Sequence, residues 1–461
     1  MNVNALLSQM SLEEKVGQMF MLAFAEKRLD EVKTLIHFHF LGACYISQAN
    51  AETPQEAIKM SNQLQEFART SGKGIPLILG VDQEGAWGVL VPYSTTGPGN
   101  LGLGATANPE YTYHMYQVLG REMTAVGYNT LLCPCADVNS NPTNPIIGMR
   151  SFGEDPREVS EHVAAAVAGG HASGAITTAK HFPGHGDTGV DSHRGLPCVE
   201  RSKQELYKLD LLPFQSAVQA GVDIVMTSHI LYPVLDPHYP ATLSSSILQE
   251  LLREEMGFAG VILSDSMNMG AIRKNYPPDE SAILAVLAGV DMIMLAEEHY
   301  DHDPDVYLEK QLICVRGVLD AVRNGRISPA RIDQSVRRIL KLKARYRLFE
   351  QGNIPLENAE IVGCSEHRQV ESVIADGTVT LVRDQRKLVP LPPHSRVALV
   401  NTVPRHAYAI LTHTRGIGPN QSQPAFDIFE GAMRQLHGDI LTFHWEQLQG
   451  ALPAELTEAE I

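Results

Sequence analysis

The sequence predicts an α/β protein with a (β/α)8, TIM-like barrel followed by a small, possibly truncated α/β domain. Eight short apolar runs alternate with longer helical patterns over residues 1–350. The runs are continuously apolar rather than alternating, which is typical of parallel strands that are covered by helices on both faces. Eight strand–helix alternations match the number that closes a barrel.

The elements follow in order. Ser11 and Glu14 form a capping-box pattern that begins a helix before the first strand. Asp155 and Pro156 predict the cap and first position of the helix before the fifth strand, and Ser328 with the proline after it begins the last barrel helix. The eight predicted strands are residues 17–24, 42–46, 76–82, 129–138, 175–182, 222–230, 260–267 and 290–298.

A second domain is predicted after the barrel. Residues 351–364 are polar and contain glycine and proline, which indicates a linker. Residues 365–461 are expected to form a partial α/β sandwich. Its predicted elements are a helix near 366–376, strands in TVTLV (378–382) and RVALVN (396–401), a helix near 425–436 and a strand in ILTFHW (440–445).

The composition limits the possible partners. The chain has 461 residues, 44% of them hydrophobic, so it can bury a large core. Its 53 acidic residues outnumber 37 basic ones and give a net charge of −16. This charge argues against a nucleic acid or an anionic membrane as a partner, because both need a basic face.

The N-terminal sequence MNVNALLSQMSLEEKVGQMF has no basic start and no uninterrupted apolar stretch, so it does not resemble a signal peptide. No apolar run reaches the ~20 residues of a membrane span. We therefore expect a cytoplasmic protein, or a secreted one if a leader has been removed. The six cysteines contain no CxxC pair and are expected to be reduced thiols in packed positions.

Charged and imidazole side chains collect where the predicted strands end. In a (β/α)8 barrel the C-terminal strand ends form one mouth, where barrel enzymes have their active sites. One such residue could merely cap a helix or face solvent, but their presence at six of the eight ends favours a shared pocket. These residues are Asp82, Gln83, Glu84, Asp137, Lys180, His181, His229, Ser264, Asp265, Glu297 and Glu298.

The segment KHFPGHGDTGVDSHRGLP, residues 180–197, continues the fifth strand into a glycine-rich loop. Asp191 precedes His193 by two residues, so its carboxylate can orient the imidazole if the backbone is locally extended. With Arg150 and Lys180 as donors and several carboxylates as acceptors, the mouth suits a ligand with many hydroxyl groups, such as a sugar.

Several classes of site compete for these residues. A glycosidase needs a carboxylate nucleophile and a proton donor, which Asp265 on a rigid strand end and His193 on a loop with glycine hinges could supply. A metal centre is less favoured, because the first strand, GQMFMLAF, offers neither histidine nor acid. We therefore expect no metal and no cofactor. The candidate metal ligands are His181, His185, Asp187, Asp191 and His193.

Other motifs are missing from the sequence. It contains no G-x-S-x-G nucleophile elbow and no G-x-x-x-x-G-K-[ST] phosphate loop. These absences argue against a serine hydrolase of that type and against a P-loop enzyme. A polar loop without a catalytic role stays open as the remaining alternative.

The same segment, KHFPGHGDTGVDSHRGLP, resembles the signature of the β-N-acetylglucosaminidases of glycoside hydrolase family 3. SDSMNMGAI (264–272) is similar to the segment that carries the family's nucleophilic aspartate, and MRSFGEDP, GVDQEG and MSLEEKVGQM fit the same family. The likeness covers residues 5–350. ESVIADGTVTLVRDQRKLVPL resembles the entry to the family's α/β sandwich domain, which is normally longer.

The resemblance implies a retaining hydrolase that releases terminal β-N-acetylglucosamine from oligosaccharides or muropeptides, as in cell wall turnover, through a covalent glycosyl-enzyme. By this match Asp265 is the nucleophile, His193 is the proton donor and acceptor, and Asp191 orients His193. Positions that hold sugar hydroxyls in the family correspond to Asp82, Arg150, Lys180 and His181. Asp137 and His229 are added as candidates from their strand-end placement alone.

The sequence departs from the family pattern after Glu84. Members usually continue with Gly-Arg-Val and a second arginine, where this chain has Ala86, Trp87 and Leu90. A hydroxyl-binding arginine is therefore missing, and Trp87 could stack on a sugar face or simply pack. The alternatives are an N-acetylglucosaminide phosphorylase, because an imidazole does not repel phosphate, a β-glucosidase, or a weakly catalytic sugar-binding protein.

Overall fold

The computed structural model describes residues 1–25, 27–85, 88–296, 304–392, 395–402 and 425–444. The chain divides into two compact units, Met1–Thr378 and Val379–Ile461. The first unit contains a closed barrel of eight parallel strands that neighbour one another in chain order. This confirms the predicted (β/α)8 fold. In the described ranges, no helix combines the length and the apolar character needed to cross a bilayer.

Each barrel strand lies within its predicted run. The barrel closes where β1 pairs with β8, from Phe20 opposite Ile293 to Leu22 opposite Leu295. The strands are β1 (Phe20–Leu22), β2 (Ala43–Tyr45), β3 (Ile78–Val81), β4 (Thr130–Leu131), β5 (Ile176–Phe182), β6 (Ile224–Thr227), β7 (Val261–Ser266) and β8 (Met292–Leu295).

Helices cover the outside of the barrel and continue into the second unit. A helix with π-type hydrogen bonding, Ser246–Glu255, lies between β6 and β7. The α-helices are α1 (Val3–Ser8), α2 (Leu12–Gln18), α3 (Leu29–His39), α4 (Pro54–Arg69), α5 (Gly99–Ala105), α6 (Pro109–Ala125), α7 (Pro156–Ala172), α8 (Lys203–Lys208), α9 (Leu212–Gln219), α10 (Gly270–Arg273), α11 (Pro278–Ala288), α12 (Pro304–Arg323), α13 (Pro329–Arg345), α14 (Ser365–Gly377) and α15 (Ala425–Leu436).

The predicted helix caps are present. Ser11 Oγ accepts a hydrogen bond from the backbone of Glu14 at 3.2 Å, and the Glu14 carboxylate accepts one from the Ser11 backbone at 2.8 Å. Asp155 caps α7, and Ser328 caps α13. These bonds satisfy amide groups that have no partner within the helix, and thereby fix where each helix begins.

The apolar runs form the core because both faces of each strand are covered. Every residue of β3, β5, β6 and β8 is buried. A parallel barrel strand packs against helices outside and against other strand residues inside, so neither face tolerates a regular polar alternation. Charged side chains follow several of these strands at their C-terminal ends, where they line the mouth.

The first unit extends beyond the predicted barrel end at residue 350. It includes residues 351–364, which the sequence predicts as a linker. It also includes α14, which the sequence predicts as part of the second domain. His367 of α14 bonds the buried carboxylate of Glu122 in α6 at 2.8 Å. The Glu371 carboxylate accepts the backbone amides of residues 96 and 97 at 3.1 and 2.7 Å. These bonds explain why this helix packs on the barrel.

The second unit contains a parallel pair of strands, β9 (Val397–Asn401) and β10 (Ile440–His444), together with α15. These elements lie where the sequence predicts them. The run TVTLV (378–382) is not a strand, which corrects the prediction for it. Val379 and Val382 are 84% and 90% exposed, so the described residues do not bury this apolar run.

Candidate active site

The ends of β3 and β5 bring opposite charges together in the mouth. Lys180 places its Nζ 2.5 Å from Asp82 Oδ1 and 2.5 Å from Glu84 Oε1. The hydroxyl of Tyr45 donates to the other oxygen of Asp82 at 2.9 Å. The Asp82 side chain is 37% exposed whereas that of Glu84 is 2% exposed, so Asp82 is the carboxylate of this pair that a ligand can reach.

Glu84 is a site residue that the sequence interpretation left without a role. It accepts two hydrogen bonds from Arg150, from Nε and Nη2, each at 2.8 Å. Burial alone would raise the pKa of Glu84, but the charges of Arg150 and Lys180 hold it well below its usual range. Arg150 and Lys180 are two cations in one mouth and require a buried counter-charge. That requirement is the signal by which the sequence could have indicated Glu84.

Asp137 supports other site residues instead of facing the mouth. It is fully buried and accepts hydrogen bonds from His181 Nδ1 at 2.8 Å, from the His185 backbone at 2.6 Å and from the Cys135 thiol at 3.1 Å. The bond to Nδ1 orients the imidazole of His181. The other ring nitrogen of His181, Nε2, lies 3.4 Å from Arg150 Nη2. The structure therefore makes Asp137 a positioning residue for His181.

His229 is also engaged within the protein. Its Nε2 donates to the carbonyl oxygen of Ser266 at 2.9 Å, and its Nδ1 lies 2.8 Å from the hydroxyl of Thr242. The ring is fully buried, which lowers the pKa of His229 and favours the neutral form. With both nitrogens occupied, His229 holds the end of β7 in place rather than offering a donor to a sugar.

Asp265 lies near the end of β7 and is partly exposed to the mouth. One carboxylate oxygen accepts the backbone amide of Ser266 at 2.7 Å. Burial alone would raise the pKa of Asp265, but positive charge on the neighbouring imidazoles, that of His181 first, lowers it. The residue is thus held as a carboxylate on a rigid strand, as a nucleophile requires.

Asp191 and His193 form a hydrogen-bonded pair. Asp191 Oδ1 accepts from His193 Nδ1 at 2.7 Å and from the His193 backbone amide at 2.9 Å. Burial alone would raise the pKa of Asp191, but the bonds and charge of His193 lower it, so the carboxylate is ionised. This confirms the predicted contact, which orients the imidazole ring of His193 through its Nδ1.

The loop that carries this pair is anchored beside Asp265. Three hydrogen bonds join the loop to residues 270–274. These residues follow β7, the strand that carries Asp265. The bonds run from Gly270 N to His193 O at 3.1 Å, from Ala271 N to Ser192 O at 3.0 Å, and from Lys274 Nζ to Arg194 O at 2.6 Å. The loop therefore lies on the β7 side of the mouth, the side from which Asp265 also extends.

His185 supports the same loop from below. Its two ring nitrogens lie 2.8 Å from the hydroxyl of Thr188 and 2.9 Å from that of Ser192, which precedes His193. Burial, with a further contribution from the adjacent His181, lowers the pKa of His185 to about 4. The buried ring is therefore neutral in the folded protein at neutral pH.

Because the pKa of His185 is depressed, the free energy of unfolding should decrease as the pH is lowered. An unfolded histidine takes up its proton near pH 6.5, so the stabilisation is complete above that value and is lost between pH 6.5 and 4. For a folded pKa of about 4, His185 alone accounts for about 2 kcal/mol between pH 7 and pH 5. Urea unfolding of the protein and of His185→Asn at both values measures this.

The comparison of the wild type with His185→Asn separates the contribution of His185 to the pH dependence of stability from that of every other titrating group. The loss of stability from pH 7 to pH 5 should be smaller in His185→Asn by that amount. An equal loss in both proteins would contradict the prediction. If the variant does not fold, the titration of the His185 ring in the folded wild type, followed by NMR, gives the same pKa directly.

One group of buried side chains has the composition of a metal site. The thiol of Cys135, a carboxylate oxygen of Asp137 and a ring nitrogen of His181 lie within 4.8 Å of one another. Burial and the neighbouring Asp137 raise the pKa of Cys135 well above its usual value, so the thiol keeps the proton that it donates to Asp137. Hydrogen bonds within the group thus satisfy these three atoms.

Some predicted positions lie outside the described residues. They include Glu297 and Glu298 at the end of β8, and Ala86 and Trp87 after β3. Leu90, which stands where the family has an arginine, is described. It is 1% exposed and has a φ of 56°, so it is part of the packed core under the loop rather than a ligand contact.

Comparison with known families decides what this site belongs to. The profile of the glycosyl hydrolase family 3 N-terminal domain matches residues 11–342. The chain belongs to glycosyl hydrolase family 3. The matched range contains the whole barrel and every candidate site residue, so the resemblance inferred from the Lys180–Pro197 segment is confirmed.

Relatives within family 3 are similar over most of this chain. β-Hexosaminidase A of Pseudoalteromonas piscicida is 32% identical over 384 residues, covering 80% of this chain, and the match spans 63% of that relative's length. The β-hexosaminidase of Nitrosomonas eutropha is 29% identical, over 74% of this chain and 98% of its own. A solved family 3 β-N-acetylglucosaminidase from Paenibacillus has 32% identity and a TM-score of 0.81, over 96% of this chain and 86% of its own.

The loop anchor of this family 3 barrel makes a specific prediction about Gly270. A Cβ on Gly270 would lie 2.4 Å from His193 O, so Gly270→Ala must push the loop away from β7. We expect kcat/KM for an aryl glycoside to fall about tenfold, because the shifted loop misplaces His193, the candidate acid–base residue, in the transition state. Steady-state kinetics with unchanged far-UV circular dichroism measures this effect.

A matched glycine in the same loop provides the control. A Cβ on Gly189 would meet nothing within 4 Å, and its backbone is compatible with alanine. Gly189→Ala should therefore keep wild-type kinetics. Equal kinetics in Gly270→Ala and the wild type would show that the loop does not need its anchor for catalysis.

Proposed function

We propose that this chain is a retaining glycoside hydrolase that releases terminal β-N-acetylglucosamine from oligosaccharides or muropeptides. The observation that carries the proposal is the Asp191–His193 pair on a loop that three hydrogen bonds hold to residues 270–274, which follow β7 and Asp265 in the chain. A double displacement needs a carboxylate nucleophile and a proton donor at the same glycosidic bond. Relatives that are β-hexosaminidases and β-N-acetylglucosaminidases support the choice of sugar.

In the first step, a carboxylate oxygen of Asp265 forms a bond to the anomeric carbon as the glycosidic C–O bond breaks. The electrons of that bond go to the leaving oxygen, which takes the proton from His193 Nε2. Asp191 holds Nδ1–H and balances the imidazolium before the transfer. In the second step, neutral His193 removes a proton from water, and that water displaces Asp265.

The remaining mouth residues suit the sugar hydroxyls. Asp82, the exposed carboxylate of the β3–β5 charge network, accepts from a sugar hydroxyl, and the buried Lys180 Nζ bonded to it holds it in place. Arg150 and Nε2 of His181 lie beside each other at the next position around the mouth. The ion pairs that hold these groups fix their positions before a substrate arrives, which lowers the entropic cost of binding.

The test is turnover of matched aryl β-glycosides. We expect the N-acetylglucosaminide to be cleaved faster than the glucoside, and NMR should show that the β-anomer is released first. A fluorinated N-acetylglucosaminyl trap should label Asp265, as peptide mass mapping can determine. Binding of N-acetylglucosamine by calorimetry without any turnover would instead indicate a sugar-binding protein, and faster cleavage of the glucoside would indicate a β-glucosidase.

The acid–base group also favours a second acceptor. His193 is neutral when it activates the incoming nucleophile, whereas a carboxylate in its place would repel a phosphate dianion. Phosphate could therefore replace water and give a sugar 1-phosphate. Phosphorus NMR of the products formed in phosphate buffer distinguishes this phosphorylase from a hydrolase.

A further inference from the structure

A cavity of about 520 Å³ opens at the opposite end of the barrel from the catalytic mouth. It lies between α13 and the two segments that lead into β6 and β7, residues 220–223 and 256–260. These segments precede their strands, whereas Asp265 and Lys180 lie at strand C-termini. The cavity is thus separated from the catalytic site by the length of the barrel.

One face of α13 lines this cavity with cations. Arg337, Lys341 and Arg345 are spaced four residues apart, so they lie one above the other on the helix, and Arg338 lines the cavity beside them. Among the residues that the structure describes, Asp223 supplies the only carboxylate of the lining. We call this space, lined by Arg337, Arg338, Lys341, Arg345 and Asp223, the basic cavity.

The internal ion pairs do not balance these charges. Arg345 bonds Asp223 at 3.0 Å, and Arg338 bonds Asp291 at 3.0 Å. Asp291 is shared with Arg253 at 2.5 Å and Arg331 at 3.6 Å. Within the described ranges, Arg337 bonds only the amide oxygen of Asn4, at 3.2 Å, and Lys341 has no hydrogen-bond or ion-pair partner. Arg337 and Lys341 therefore have no counter-charge of their own.

A further cation, Arg253, lies next to the cations that line the basic cavity. Arg253 is buried, and this burial, together with neighbouring Arg338 and Arg331, lowers its pKa to about 10 even though Asp291 acts in the other direction. In the part of the chain that the structure describes, Arg253 Nε has no hydrogen-bond partner. In a chain with a net charge of −16, this concentration of positive charge is a local arrangement and does not follow from the overall composition.

The floor of the basic cavity leaves room for a ligand. Gly221 and Gly257 have φ values of 83° and 71°, and a Cβ on either would meet nothing within 4 Å. Backbone at such positions can approach a bound group closely. The volume lies within the range of small-molecule sites.

We propose that the basic cavity binds a small anion that carries phosphate groups, such as a phosphorylated sugar or a nucleotide. Arginine and lysine are the side chains that recognise phosphate, arginine through paired N–H donors and lysine as a point charge. Arg337 and Lys341 supply the unbalanced charge that such an anion would neutralise. This site does not depend on the proposed glycosidase activity, because no catalytic residue takes part in it.

The test uses the full chain and inorganic pyrophosphate as the probe. Isothermal titration at fixed ionic strength should show one saturable site per chain. The double variant Arg337→Gln/Lys341→Gln should bind at least tenfold more weakly and keep its aryl glycoside turnover. The double variant Lys59→Gln/Arg316→Gln, at exposed positions on α4 and α12, removes the same two charges and should bind as the wild type does.

Two results would overturn the proposal. The first is the absence of saturable binding to the wild type. The second is equal binding by the wild type and the double variant, which would place pyrophosphate elsewhere, for example in the catalytic mouth. Glucose 6-phosphate and ATP at the same ionic strength distinguish the two sources of phosphate, and citrate that binds as tightly as either would contradict the preference for phosphate.

Discussion

An Asp265→Asn variant is expected to lose roughly 10⁴-fold in the turnover of an aryl β-N-acetylglucosaminide, because the amide cannot form the covalent intermediate. The fold should not change, since the amide oxygen can still accept the Ser266 backbone amide that now binds Asp265 at 2.7 Å. Stopped-flow and steady-state kinetics measure the loss, and the melting temperature reports whether the barrel is intact.

The control is a carboxylate that carries no catalytic role. Asp279 is exposed at the start of α11, and Asp279→Asn should keep wild-type turnover. Rescue then identifies the missing chemistry. In Asp265→Gly, added azide can occupy the space of the carboxylate and attack the anomeric carbon from that side, which gives the α-azide. Turnover by Asp265→Asn within tenfold of the wild type would contradict its role as nucleophile.

The barrel could be predicted because its signal is local. Each strand is a short, continuously apolar run, and each helix cap is a pair of residues within one turn, as in Ser11 with Glu14. The strand-end rule then brought Asp82, Lys180 and Asp265 to one mouth without any knowledge of their contacts. The His193–Asp191 contact was equally local, since only one residue separates the two.

The roles of Asp137 and His229 could not be predicted, because strand-end placement says where a side chain starts and not what it bonds. The partners of Asp137 include the backbone of His185, which is 48 residues away in sequence. His229 bonds Ser266 across a separation of 37 residues. Both side chains turn toward buried polar groups that would otherwise lack a partner, and the cost of leaving those groups unpaired decides their orientation.

The position of the loop that carries Asp191 and His193 could not be predicted for the same reason. Its anchors on Gly270 and Ala271 are backbone hydrogen bonds, which leave no pattern of side chains in the sequence. Gly270 does leave a trace as a glycine, but only the 2.4 Å approach of His193 O explains why that position excludes a Cβ. The packing of α14 on the first unit could not be predicted either. Its bonds to Glu122 and to residues 96–97 join residues that are far apart in the sequence.

A His193→Ala variant is expected to lose about 10³-fold in the cleavage of an N-acetylglucosaminyl disaccharide, which lies within the range of a general acid–base group. The alkoxide of a sugar is a poor leaving group and needs the proton. A dinitrophenyl leaving group needs none, so with that substrate the first step should be nearly unchanged. The second step still lacks its base, and the glycosyl-enzyme on Asp265 should accumulate as a burst followed by slow turnover.

The outcome with azide separates this role from that of Asp265. Azide needs no general base, so it should restore turnover in His193→Ala by attacking the glycosyl-enzyme from the side that water uses, and the product should be the β-azide. The opposite anomers from His193→Ala and Asp265→Gly then place the two groups on opposite faces of the sugar. His238→Ala, an exposed histidine in the loop after β6, should behave as the wild type. An equal loss in His193→Ala for both leaving groups would mean that His193 shapes the mouth without transferring a proton.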